Sequence, residues 1–227
     1  MKQQYKWCVV IGFLLFTGVA AGETVTLTAG VDNLLYYASD DTSTGDTVYA
    51  SSYNGVGTSR DSGMNEFWVW ESLIWFDIRS VMGKTIKKAE LVLTPEVLAV
   101  DAYDNTYYYV AAVADPWNGN SVTSNNQPDI YTGWWVPFNV PTSTVPISLD
   151  VTDAVKYWAD GTYPNYGFAL KEHGGLHDYS YNYATFFGSI EYPGTTPPKL
   201  RIEVENGGGG GGIPTVVPSV IVPMLLF

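Results

Sequence analysis

A single cysteine, Cys8, occurs in 227 residues, and it falls in a stretch built like a secretory leader. Lys2 and Lys6 precede an apolar run from Trp7 to Phe16, and Val19 and Ala21 occupy the −3 and −1 positions of a cleavage site. The run is shorter than the roughly 20 residues of a membrane span. Cys8 comes before it, whereas a lipid-bearing cysteine would close it. Cleavage after Ala21 leaves an exported chain with no thiol, hence no disulfide. Its stability then has to come from a buried core and from bound ions. Residues 22–206 suffice for one such core and read as one domain.

Basic residues are scarce too. Lys and Arg number 11, two of them in the leader, against 23 Asp and Glu. The remaining nine against 23 give a formal −14. A surface of that sign repels phosphate backbones and excludes nucleic acid as a partner. Histidine occurs twice, at His173 and His177. The i, i+4 spacing suits a zinc helix, but "EHGGLHD" holds two glycines and no HExxH pattern. GxSxG is absent, and "GGGGGG" has no flanking strand, helix or Lys to make a phosphate loop. Among many acids, Asp77 with Glu191 is the least arbitrary pair for glycoside hydrolysis. Asp77, Asp150 and Glu191 read more simply as acceptors for loop N–H groups and for Arg60, Arg79 or Arg201.

What the chain has in quantity is Tyr, 17, and Trp, 8. That bias favours strands. Runs of β-favouring residues recur between Gly, Pro, Asn and Asp clusters: 24–30, 47–55, 67–78, 84–98, 105–117, 145–151, 166–172, 184–191 and 198–205. Residues 56–66 read as a loop. In 67–78 Trp68, Trp70, Ile74, Phe76 and Ile78 share one face, and the other face is apolar enough for a central strand covered on both sides. Trp68, Trp70, Trp75 and Trp158 are assigned to the core. One segment changes period: Thr152 as N-cap, Val155 and Trp158 at i, i+3, and Gly161 as stop predict one short helix. About ten strands with one helix fit an all-β fold, an antiparallel two-sheet β-sandwich of jelly-roll type.

The order of the segments resembles the DNRLRE domain, a family related to disaggregatase repeats and to family 96 of the carbohydrate-binding modules. "VDNLLYYASDDT" stands where that family has its Asp-Asn segment. "ESLIWFDIRSVMGKTIKKAELVL" resembles its Phe-Asp strand and following Ala-x-Leu-x-Leu. "DPWNGNSVTSNNQP" matches its Trp segment through Trp117, Val122, Thr123, Asn126 and Pro128. "SLDVTDAVKYWADGTYPNYGFALK" resembles its Asp-Val-Thr helix and Asn-x-Gly-Phe strand. "FFGSIEYPGTTPPKLRIEVE" resembles its Ser-x-Glu and Pro-x-Leu ending. Two positions depart from the pattern: Glu71 replaces a basic residue and Ser124 replaces a second Trp. The resemblance implies an extracellular β-sandwich module that binds polysaccharide or belongs to a cell-surface protein, and it implies no catalytic residues.

Candidate sites follow from residue chemistry. Tyr179, Tyr181 and Tyr183 share one face of an extended segment, and Trp134 with Trp135 follows a turn. Rings outside a sandwich offer flat apolar surface to sugars. Calcium is the cofactor the sequence offers, through loop oxygens at Asp40, Asp41, Asp46, Asp101 and Asp104. Residues 207–212 are a glycine linker. The tail 213–227 has no charge, and Pro214, Pro218 and Pro223 interrupt any helix. Ile213, Val216, Val217, Val220, Ile221 and Leu225 would let it add as a strand to a neighbouring copy. Two readings therefore stand. One is an exported module for a polysaccharide or cell-surface glycan, or for surface adhesion. The other is a subunit of an extracellular filament, sheath or surface layer.

Overall fold

The computed structural model describes residues 22–38, 53–61, 66–99, 107–172 and 183–205. Two antiparallel sheets face each other. The smaller holds β1 (Glu23–Thr28), β12 (Lys199–Val204), β5 (Ile86–Leu93) and β9 (Ile147–Asp150), in that spatial order. The larger runs β6 (Pro95–Val97), β11 (Thr185–Gly188), β3 (Tyr53–Asp61), β4 (Glu66–Trp75), β10 (Phe168–Glu172), β7 (Tyr107–Val113) and β8 (Ile130–Asn139). β2 (Val31–Ala38) pairs with β4 along its whole length, from Val31 opposite Trp75 to Ala38 opposite Trp68. This is the predicted all-β sandwich. Residues 1–21, the glycines 207–212 and residues 213–227 lie outside the described residues, so the strand-addition reading of Ile213, Val216, Val217, Val220, Ile221 and Leu225 is a statement about sequence alone.

Alternation builds the core between the sheets. β12 reads exposed–buried throughout, placing Leu200, Ile202 and Val204 inward. Ala89, Leu91 and Leu93 face them from the same sheet. From the larger sheet come Ile74, Tyr108, Val110, Phe168, Leu170 and Phe187. Burying a side chain of this size contributes about 1.5–3 kcal/mol. A smaller cluster forms on the outer face of the larger sheet. Leu35, Leu73, Val113 and Ala169 meet Val122, Trp117 and Tyr166 there. β4 is thus covered on both faces, as its sequence predicts: Ile74 in one cluster, Leu73 in the other.

The helix α1 (Thr152–Ala159) follows β9 and buries Ala154, Val155 and Trp158. Its first turn differs in detail from the prediction. Thr152 is the first helical residue, and the cap acceptor is Asp150, whose Oδ1 takes the Thr152 N–H at 3.0 Å and its hydroxyl at 2.5 Å. Gly161 ends it as expected, in the left-handed region at φ 79°.

Three elements were missed in whole or in part in the sequence, β3 only beyond the predicted strand 47–55. Val31–Ala38 is a strand without alternation because it is buried on both faces. The predicted loop 56–66 overlaps β3. Gly57, at φ 114°, stands where a Cβ would come within 2.6 Å of the Tyr183 carbonyl oxygen, so the glycine is there for a close crossing and not for a turn. Residues 130–139 form the edge strand β8, although Gly133 and Pro137 interrupt any strand signal. Pro137 is tolerated because an edge strand bonds on one side only.

Candidate functional site

Strand β8 positions the rings that the sequence singled out. Among the described residues it is the terminal strand of the larger sheet, bonded only to β7. Phe138 points into the core, as does Tyr108 on β7. The alternate residues turn the other way. Trp135 stands there at 44% exposure, edge-on to Tyr109 with ring centroids 5.7 Å apart.

Two hollows meet at this strand. The first, of about 520 Å³, opens between β8 and the start of α1. Trp134, Trp135 and Gly133 form one wall, Asp150 to Ala154 the opposite wall, Val110, Ala112 and Phe168 the apolar floor, and Lys87 and Lys88 the polar lip. The second, of about 390 Å³, lies between Tyr107, Trp135, Pro137 and Asn139. Trp135 lines both. Volumes of this order hold small ligands when an apolar surface is joined by a few polar groups. Lys88 is held by Glu90 at 2.8 Å, and Asp150 is engaged by Thr152, so the lip is partly fixed before any ligand arrives.

Trp134 has a different setting. It stacks face to face on Tyr157 at 4.7 Å and 10°. Tyr163 stands edge-on to it at 4.8 Å, and Tyr131 lies at 5.0 Å. This four-ring group joins β8 to the helix and to the turn after it. Tyr157 and Tyr163 keep open faces. A second run of rings, Trp68, Tyr36, Trp70, Phe186, Tyr53 and Tyr192, lies away from β8, with adjacent centroids 5.0–6.3 Å apart.

The remaining sequence candidates separate. Tyr183 is 6% exposed and cannot present a face to solvent. Its hydroxyl donates to Glu172 Oε2 at 2.8 Å, and its carbonyl accepts from the Tyr108 hydroxyl. Tyr179 and Tyr181 lie outside the described residues, as do Asp40, Asp41, Asp46, Asp101 and Asp104. No three His, Cys, Asp or Glu cluster among the described residues. Trp158 is fully buried as expected, whereas Trp68, Trp70 and Trp75 are only half-buried. The Trp70 and Trp75 indole N–H groups both find acceptors, Ser59 Oγ at 2.8 Å and the Asn165 carbonyl at 3.2 Å.

Asp77 and Glu191 do not form a pair. Asp77 is bound to Arg79, whose guanidinium and N–H hold the carboxyl below its ordinary value. Glu191 faces Asp32 instead, and burial plus that second carboxyl push it up to about 8. The predicted acceptor role holds for Asp77 with Arg79, and Asp150 accepts a backbone N–H that belongs to the helix start at Thr152 and not to a loop.

The segments that carried the family resemblance are mostly scaffold. Asn33 donates to the Gly119 carbonyl at 2.8 Å, and Trp117 donates to the Tyr166 carbonyl at 2.7 Å. Thr123 and Asn126 form a reciprocal capping box on the turn Ser124–Asn126. Together they pin residues 114–129 over the outer face of the larger sheet. Asn165 bonds the Phe76 carbonyl and receives the Gly167 N–H. The two departures are also accommodated locally. Glu71 pairs with Lys171 at 2.7 Å, both side chains less than 15% exposed, and Ser124 donates to the Tyr36 carbonyl.

The fold is a β-sandwich with aromatic residues lining two hollows at one sheet edge. Residues 33–203 match the family model for Carbohydrate-binding module family 96, and the chain belongs to that family. No curated protein matches it. Among the described residues no helix is long and apolar enough to cross a membrane.

Proposed function

We propose that this protein is an exported, non-catalytic module that binds a polysaccharide along the β8 edge. Trp135 carries the reading: a solvent-facing indole on the wall of two adjoining hollows, braced by Tyr109. A flat ring of that kind covers the apolar face of a pyranose, and the neighbouring lysines and carboxylates supply hydrogen bonds at its edges. Lys87 and Lys88 stand across the hollow from Asp150 and Asp153, and Lys88 is paired with Glu90, so the lining carries both signs and offers hydrogen bonds to sugar hydroxyls. The leader at 1–21 supports export and contact with glycans outside the cell.

Affinity electrophoresis of the mature chain through gels containing acidic or neutral polysaccharides tests this. Retardation by at least one polysaccharide is expected. Unretarded migration in every gel overturns the binding reading.

A further inference from the structure

We propose that Tyr157 and Tyr163 form a second sugar platform next to the β8 site, so that the module takes an internal stretch of a long glycan and not a chain end. The inference rests on the β8 reading above and adds the length and class of ligand to it. Tyr157 is 39% exposed and Tyr163 is 37% exposed. Rings that only sealed the helix against the sandwich would be buried as Trp158 is, and these two are not.

Both rings are fixed before any ligand arrives. Tyr157 lies flat on Trp134, with centroids 4.7 Å apart and planes 10° apart. Tyr163 stands edge-on to Trp134 at 4.8 Å, to Tyr157 at 5.6 Å and to Tyr131 at 5.3 Å. Its backbone N–H donates to the Tyr157 carbonyl at 3.2 Å, which ties the turn after α1 back to the helix. A ring held on several sides loses little freedom when a ligand covers it. Its open face can then lie against a pyranose as the Trp135 indole does.

The platform is continuous with the hollow between β8 and α1. Trp134 lines that hollow and carries Tyr157 on its face. Asp153 lines it as well, and Tyr157 comes one turn later on the same face of α1. The surfaces therefore follow one another from Pro137 and Asn139, through Trp135 and the hollow, to Tyr157 and Tyr163. Pro137 and Asn139 are exposed at one end of this run, and Tyr163 is exposed at the other. A chain-end site needs a wall that stops the sugar, whereas a run exposed at both ends suits a chain that enters at one and leaves at the other. Lys156 and Asp160, both exposed on α1 and at its C-terminus, add polar groups beside the Tyr157 ring.

The test takes a polysaccharide that retards the mature chain, cuts it into size-graded oligosaccharides and measures their binding by calorimetry. Affinity is expected to rise with length by about fivefold or more and then level off. Chemical reduction of the chain end is expected to leave the affinity of the long oligosaccharides unchanged. Tyr157→Ala and Tyr163→Ala are each expected to weaken binding of the long oligosaccharides by about fivefold and to leave the shortest ones that bind unaffected. Tyr157→Phe keeps the ring and is expected to bind as the wild type does. Tyr163→Ala removes only edge-on contacts in an exposed turn, and circular dichroism confirms that it is folded. Retardation by no polysaccharide at all overturns the β8 reading, and this proposal with it. Retardation combined with affinity that does not depend on length, or with wild-type affinity for long oligosaccharides in both alanine variants, overturns this proposal alone.

Discussion

Replacing Trp135 by Ala removes the surface to which glycan binding is assigned, and its effect can be sized. A Trp side chain covers up to about 250 Å² when buried, so 44% exposure leaves about 100 Å² of indole open. Covering that area is worth about 2.5 kcal/mol at about 25 cal/mol/Å². Ordering the sugar chain takes back part of it, leaving about 1.5 kcal/mol, or roughly a tenfold rise in Kd. The substitution also removes an edge-on contact with Tyr109, worth about 0.5–1.5 kcal/mol of stability. A lower melting temperature in a folded protein is therefore expected. Calorimetry against the retarding polysaccharide, with circular dichroism to show that the variant is folded, measures both. A folded Trp135→Ala variant with wild-type Kd refutes the assignment. Loss of binding in Tyr157→Ala at the same time would move the ligand to the helix side of the strand.

Gly167→Ala should be among the most damaging single changes, because φ is 86° and the new Cβ would sit 2.3 Å from the Ile74 carbonyl oxygen. The left-handed strain alone costs about 1–2 kcal/mol, so urea melts should show a loss above about 3 kcal/mol once the clash is added. Glu71→Leu leaves the nearly buried Lys171 ammonium with Gln127 Oε1 but no carboxylate and should cost about 2–4 kcal/mol, whereas Glu71→Leu with Lys171→Met should recover most of it; equal loss in both would show that the pair is not the reason. Beside Asp32, Glu191 keeps its proton up to about pH 8 in the folded chain against an ordinary 4.5. Between those values the unfolded chain has released a proton that the folded chain still holds, so stability falls as pH rises through the window and levels off above it. Denaturant midpoints at pH 5.5 and 8.5 should therefore differ less in Glu191→Gln than in the wild type.

Period and turn chemistry revealed the strands whose two faces differ. β12 and β5 alternate, and the helix announces itself through Val155, Trp158 and Gly161. β2 escaped because Leu34 and Leu35 are both buried, on opposite faces. β3 escaped because its glycines serve a crossing strand from far along the chain. Within the site, Trp135 was legible as an aromatic after a turn, but Tyr109 and Tyr107 became its neighbours only through the pairing of β7 with β8. Tyr183 shows the limit of counting rings on one face of an extended segment: its partner Glu172 is 11 residues away, and nothing local in the sequence signals that the hydroxyl is buried. Glu191 was read with Asp77, and Asp32 stood only within the quoted Asp-Asn segment. Sheet closure is what brings them together.

The edge position of β8 has a consequence for how this protein could be adapted. A strand with one hydrogen-bonded neighbour transmits little of a side-chain change to the sheet behind it. Trp135 and Gly133 face outward while Phe138 holds the strand to the core. The contact surface is in effect a replaceable blade on a fixed handle. New ring or charge patterns at 133, 135 and 137 could be swapped in by library methods while Phe138 keeps the strand anchored, the Tyr109 contact of Trp135 being what such a change gives up.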